Sequence, residues 1–65
     1  GNMPCVLNAA NEIANEAFRN GKCRFPQVAS IIESTMGKAP FVSAPTYDDY
    51  VATDHEAREI ALRLI

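Results

Sequence analysis

Residues 3–20 read MPCVLNAANEIANEAFRN, and this stretch decides the fold. Its apolar residues recur every three or four positions, which is the spacing of one face of an α-helix. Pro4 suits the first turn of that helix, where its missing N–H costs nothing. Gly21 follows as a residue that tolerates the left-handed conformation beyond a helix end. The residues predicted to be buried are Val6, Leu7, Ala10, Ile13, Ala14, Ala17 and Phe18.

A second helix is predicted over 26–36, and Gly37 is expected to end it. The following link, 38–45, holds two prolines and no periodicity. We therefore expect this link to wrap the surface, with Phe41 and Val42 as its anchors. The apolar stripe predicted for the second helix is Val28, Ile31, Ile32 and Met36.

The last third of the chain predicts a short helix followed by a longer one. Thr46 and Asp49 form a capping arrangement for the short helix, although aspartate replaces the usual glutamate or glutamine. Either Thr53, paired with Glu56 in a capping box, or Asp54 begins the last helix. The fold class is therefore all-α, a small irregular bundle of three main helices plus one short helix. The two apolar stripes are Tyr47, Tyr50 and Val51, then Ala57, Ile60, Ala61, Leu64 and Ile65.

Composition excludes several classes of function. The 65 residues include six Lys and Arg and eight Asp and Glu, and the basic residues form no stripe, so we expect no nucleic-acid partner. No apolar run approaches the ~18 residues of a membrane span, so we expect no membrane partner. Cys5 and Cys23 lie at opposite ends of the first helix, roughly 20 Å or more apart, so we expect reduced thiols, as in a cytosolic protein.

No group of residues has the pattern of a catalytic or metal site. His55 is the only histidine and falls on a polar helix face, which is typical of a solvated residue. Asp48, Asp49 and Asp54 lack the glycine and terminal glutamate of a calcium loop, and helix capping explains two of them. A phosphate-binding glycine loop and a dinucleotide fingerprint are both missing. We therefore predict no catalytic, cofactor-binding or metal-binding residue in this chain.

One face of the first helix is unusually rich in asparagine, which is a poor helix former. Asn8, Asn11 and Asn15 lie there beside Glu12. Two interpretations stay open: a tolerated solvent face, or a face whose side chains hydrogen-bond a neighbouring loop or another domain. Arg58, in the last helix, is predicted to form a salt bridge with Glu12.

Three segments in the same order carry a family resemblance that spans nearly the whole chain. Residues 3–12, MPCVLNAANE, resemble the segment that opens the final helices of 1-deoxy-D-xylulose 5-phosphate reductoisomerases. Residues 17–25 are similar to the family's Ala-Phe…Gly-Lys-Ile-Arg-Phe run, with Cys23 in place of isoleucine. Residues 47–59 resemble its closing Asp-x-x-Ala-Arg pattern. Pro26 departs from the family, which often has a capping Ser or Thr there.

The resemblance implies that residues 1–65 are the C-terminal helical domain of a longer, cytoplasmic bacterial enzyme. That family converts 1-deoxy-D-xylulose 5-phosphate to 2-C-methyl-D-erythritol 4-phosphate in the non-mevalonate isoprenoid pathway, using NADPH and a divalent metal, Mg or Mn. Its cofactor and metal motifs belong to earlier domains, so no cofactor is expected on this chain. The expected role is a structural brace for the catalytic domain. The alternatives are an independent helical protein-interaction module and a small subunit complemented by another chain.

The resemblance also implies partners, namely the remaining domains of the same enzyme and, for the whole enzyme, a second copy in a homodimer. The family places a further helix before Gly1, so we expect Val6, Ala10 and Ile13 to be uncovered and the second helix to lose cover. We expect the chain to self-associate at high concentration through the uncovered face, with exchange of a helix across 38–45 as one route; the alternative is a marginally stable monomer. The residues predicted to make structural or inter-domain contacts are Asn8, Asn11, Glu12, Asp54 and Arg58.

Overall fold

The computed structural model describes residues 1–65 and contains three α-helices. They are α1 (Met3–Arg19), α2 (Phe25–Lys38) and α3 (Tyr47–Arg63). Both α2 and α3 pack extensively on α1 and less on each other, so α1 is the central element of the bundle. The predicted all-α class is confirmed, but the short fourth helix is not a separate element. None of the three helices combines the length and the apolar character needed to cross a membrane.

Small side chains bring the neighbouring helices close to α1. Four of its five buried residues are alanines, and Ala9 is buried although it lies outside the predicted stripe. Leu7 and Phe18, which were predicted to be buried, are instead partly exposed. The buried arc is displaced towards Ala9 because α3 packs on that flank. The residues buried on α1 are Val6, Ala9, Ala10, Ala14 and Ala17.

The prediction that α1 and α2 would be uncovered is wrong. Val6 and Ala10 are completely buried, Ile31 is almost completely buried, and Ile13 is half-buried. The physical reason is that α2 and α3 together cover the apolar face of α1. Two clusters result: Val6, Ala9, Ala39, Ala57 and Ile60 form one, and Ala14, Val28, Ile31 and Ala61 form the other.

The predicted end of α1 is confirmed, and the predicted end of α2 is wrong. Gly21 has φ 72°, and the backbone N–H of Lys22 donates to the Ala17 carbonyl at 2.8 Å, as in a Schellman motif. In α2, by contrast, Gly37 is an ordinary helical residue. The helix ends at Ala39, which is extended because Pro40 follows it and disfavours helical backbone in the residue before it.

The helix α3 begins where the capping pattern predicts, and then continues without interruption. The Thr46 N–H donates to Asp49 Oδ2 at 2.9 Å, and the Asp49 N–H donates to Thr46 Oγ1 at 3.2 Å, so this capping box is confirmed. A second helix start at Thr53 or Asp54 is wrong. Both residues lie inside α3, where Thr53 accepts a hydrogen bond from Asn2 and Asp54 accepts one from Arg58 of the same helix instead of capping the backbone.

The link between α2 and α3 is held by Asn2, which is fully buried. Its Nδ2 donates to the Pro40 carbonyl at 2.8 Å and to Thr53 Oγ1 at 3.1 Å, while the Val42 N–H donates to its Oδ1 at 2.8 Å. The prediction that Phe41 anchors this link is wrong, since Phe41 is exposed. One polar residue therefore joins the start of α1, the link and α3.

Candidate functional site

The structure joins three of the five predicted contact residues in one ion-pair network between α1 and α3. Arg58 Nη2 donates to Glu12 Oε2 at 2.8 Å, which confirms the predicted salt bridge. Arg58 Nε donates to Asp54 Oδ2 at 2.9 Å, one turn earlier on α3. The second contact fixes the Arg58 side chain along its own helix, so that its far end reaches α1.

The pKa values of two groups are raised, one in the network, Arg58, and one close to it, Cys5. Hydrogen bonds to Asp54 and then to Glu12 raise the pKa of the Arg58 guanidinium, so this side chain stays charged at any pH at which the protein folds. Burial, and secondarily the charge of Asp54, raises the pKa of the Cys5 thiol, with Arg58 acting in the opposite direction. Cys5 Sγ donates to the Tyr50 carbonyl at 3.6 Å. A thiol in this state is a packing group rather than an activated nucleophile.

The other two predicted contact residues, Asn8 and Asn11, lie apart from the network on the exposed side of α1. Asn15 Nδ2 donates to both the backbone carbonyl and Oδ1 of Asn11, each at 2.8 Å. The Asn8 amide and the Asn11 Nδ2 group have no hydrogen-bond partner within the chain. With Pro4 and Leu7 they line an open groove of about 420 Å³, which we call the amide groove.

The chemistry available at these surfaces is hydrogen bonding and apolar contact. No three His, Cys, Asp or Glu side chains come together in a way that could hold a metal ion. His55 Nε2 lies 2.7 Å from Glu59 Oε1 on the exposed face of α3, and both cysteines are free. The amide groove offers free donors and acceptors beside an apolar side chain, which is a surface suited to another polypeptide.

Sequence reasoning missed Asn2, the most connected polar residue of the bundle. Its position just before the Met-Pro start of α1 is a signal, because asparagine is favoured at helix N-caps. That signal would have predicted the wrong role, since the Asn2 side chain makes no capping bond and is turned into the bundle.

We expect Glu12→Ala and Arg58→Ala to couple by about 0.5–1 kcal/mol in a double-mutant cycle of unfolding free energies. The coupling is small because the two side chains are 54% and 33% exposed, so water screens the pair. A cycle between Glu16→Ala and Arg58→Ala is the control, since Glu16 is an exposed acid on α1 that forms no salt bridge with Arg58. Equal coupling in both cycles would contradict an energetic role for the bridge.

Comparison with known proteins places this chain in a family. The family described as "DXP reductoisomerase C-terminal domain" matches residues 1–60. The 1-deoxy-D-xylulose 5-phosphate reductoisomerase of Bacteroides fragilis is 57% identical over 65 residues, which is 100% of this chain and 17% of that protein. The enzyme of the same name from Phocaeicola vulgatus is 52% identical over 65 residues, which is again 100% of this chain and 17% of that protein. That of Pseudomonas putida is 47% identical over 58 residues, which is 89% of this chain and 15% of that protein.

These relatives are much longer than this chain. The chain spans 17% of the length of the Bacteroides fragilis and Phocaeicola vulgatus proteins. No solved structure matches the chain. The match to the Bacteroides fragilis protein covers all 65 residues of this chain, so it spans the positions that form the amide groove, the ion-pair network and the Asn2 contacts.

Proposed function

Because the chain belongs to the DXP reductoisomerase C-terminal domain family, we propose that it is the non-catalytic C-terminal domain of a longer 1-deoxy-D-xylulose 5-phosphate reductoisomerase. Its role there is to brace the catalytic domain. The observation that carries the proposal is a match over the full length of this chain to only 17% of each of two relatives. The enzyme's remaining residues then supply the catalytic groups.

The proposed enzyme converts 1-deoxy-D-xylulose 5-phosphate to 2-C-methyl-D-erythritol 4-phosphate in isoprenoid synthesis. NADPH and a divalent metal, Mg or Mn, bind to its other domains, and the enzyme acts as a homodimer in the bacterial cytoplasm. These properties follow from the family resemblance. The chain described here contributes a rigid helical body.

The amide groove is the proposed contact with the rest of the enzyme. The Asn8 amide and the Asn11 Nδ2 group have no partners within the chain, and Leu7 beside them is partly exposed. Asparagine costs helix stability at each of these positions. A docked polypeptide would hydrogen-bond the free amide groups and cover Leu7. Such a contact would account for the unfavourable asparagines and for the exposed leucine.

A chimera tests this proposal: this chain replaces the matching residues of the Bacteroides fragilis enzyme. We expect the chimera to be active and Asn11→Lys to lower its activity about fivefold or more, because an unsatisfied buried polar group costs about 1–3 kcal/mol and an unpaired charge costs more. The isolated chain carrying Asn11→Lys should melt at the parent temperature. Ala29→Lys, at an exposed position on α2, is the matched control.

Two outcomes would contradict the proposal. An inactive chimera would favour the alternative function of an independent interaction module. An Asn11→Lys chimera as active as the Ala29→Lys chimera would show that the amide groove is a solvent face.

For the 65-residue chain on its own, self-association at high concentration is also proposed. The support is a set of large apolar side chains exposed on α3, outside the two core clusters. Exchange of a helix is a less favourable route than surface pairing, since the link that would have to open is held by Asn2.

A further inference from the structure

We propose that α3 pairs with α3 of a second copy of this chain, antiparallel, about a two-fold axis near Glu56. This inference rests on the proposed self-association and specifies the surface through which the two copies pair. We call that surface the outer stripe. Its members are Tyr47, Val51, Asp54, Arg58, Leu62 and Ile65.

The outer stripe is a seam along one flank of α3, between its buried face and its most exposed face. Its members are spaced three or four residues apart, so they lie along one face of the helix. Tyr47 is 80% exposed, Val51 53% and Leu62 56%, whereas the adjoining face of α3, which includes Ala57 and Ala61, is buried in the bundle. Single exposed apolar residues are ordinary, but an aligned series is typical of a contact surface.

The seam is self-complementary when the second helix is antiparallel. Positions on the two sides of Glu56 then face each other. Tyr47 faces Ile65 of the second copy, since each is nine residues from Glu56, and Val51 and Leu62, five and six residues from it, lie close to each other. A two-fold axis repeats each of these contacts, so the apolar members are all covered.

Charge selects the antiparallel arrangement over the parallel one. Asp54 and Arg58 are equidistant from Glu56, so antiparallel helices place each aspartate against an arginine of the second copy. Arg58 uses Nε and Nη2 within its own chain, which leaves Nη1 free to donate. Parallel helices would place Asp54 against Asp54 and Arg58 against Arg58, which is repulsive.

A cavity at one end of the seam is placed to receive an aromatic ring. It measures about 210 Å³ and lies between the ends of α1 and α3, with Ile13, Leu62 and Ile65 in its walls beside the polar side chains of Glu16, Asn20 and Lys22. In the antiparallel pair, the residue of the second copy that lies over Ile65 is Tyr47. That side chain is almost fully exposed within one chain and would be covered there.

The expected dimer is weak. The seam runs for about 24 Å along α3, at ~1.5 Å per residue, and Ile65 lies just beyond the end of that helix. It covers less than the ~800 Å² per partner of a standard interface, so a dissociation constant of about 10⁻⁴ M is expected.

Sedimentation equilibrium of the 65-residue chain, from about 10 µM to about 1 mM, measures the association. We expect Val51→Lys and Leu62→Glu each to weaken it about tenfold or more, because each places a charge against an apolar residue of the second copy. An equimolar mixture of the two variants should regain association. In the mixed pair the introduced lysine and glutamate face each other, and the second Val51–Leu62 contact is native.

Ala52→Lys is the matched control, since Ala52 is exposed on α3 but lies outside the outer stripe. Circular dichroism melts at low concentration establish that each variant folds. Equal weakening by Ala52→Lys and Val51→Lys would overturn the pairing through the outer stripe and leave the proposed self-association intact. A mixture that stays monomeric would overturn the antiparallel register. A parent chain that is monomeric at 1 mM would overturn both proposals and assign the outer stripe to another segment of the longer enzyme.

Discussion

Replacing Asn2 with alanine should destabilise the fold by about 2–4 kcal/mol. The Asn2 side chain is fully buried and makes three long-range hydrogen bonds. Alanine would leave the Pro40 carbonyl and the Val42 N–H without these partners inside the bundle. Each unsatisfied buried group costs about 1–3 kcal/mol, more than a typical exposed hydrogen bond contributes.

The expected loss is large compared with the stability of so small a domain. At about 0.05–0.15 kcal/mol per residue, a chain of this size is stable by roughly 3–10 kcal/mol. Urea unfolding followed by circular dichroism measures the change directly. The link should also become more susceptible to proteolysis, because Asn2 bonds it to both α1 and α3.

Asn8→Ala is the matched control for Asn2→Ala. Asn8 lies on the exposed side of α1, the helix that begins just after Asn2. Its side chain has no hydrogen-bond partner within the protein. Alanine is the better helix former, so this variant should be unchanged or slightly more stable. If the two variants unfolded at the same urea concentration, the Asn2 contacts would not stabilise the fold.

Elements whose ends depend on nearby residues could be predicted from the sequence. The Schellman end at Gly21 and the capping box of Thr46 and Asp49 are both local, since each involves residues within one or two turns. The apolar periodicity of α1 and α2 likewise predicted most of the core.

Features that depend on distant residues could not be predicted in the same way. Thr53 has the pattern of a helix start, but its hydroxyl instead accepts a bond from Asn2, which is far away in the chain. Leu7 fits an apolar stripe, but the burial of Ala9 shows that α3 packs on the other flank. Local patterns specify where a helix can begin and which faces can be buried. Tertiary packing decides among them.

The candidate site does not follow this division between local and distant features. The Glu12–Arg58 bridge was predicted from opposite charges within two segments of the family resemblance, and the structure confirms it. Asp54 was expected to cap a helix, whereas it orients Arg58. The inter-domain role of Asn8 and Asn11 stays a prediction, because it depends on residues outside this chain.

Replacing Ala14 with leucine should destabilise the fold by about 1–3 kcal/mol or more, through overpacking. Ala14 is completely buried against Val28, Ile31 and Ala61, where all three helices meet. Because protein interiors are close-packed, the larger side chain fits only if a neighbouring helix moves outward. That movement would also pull apart the alanine contacts along α1.

Ala52→Leu makes the same chemical change at an exposed position of α3 and is the matched control. Leucine and alanine differ little in helix propensity, so this variant should keep nearly the parent stability. Urea unfolding at about 10 µM, where a weak dimer is dissociated, compares the two variants. Equal stabilities would mean that α2 can shift away from α1 at little cost. The buried alanines of α1 would then not determine the distance between the helices.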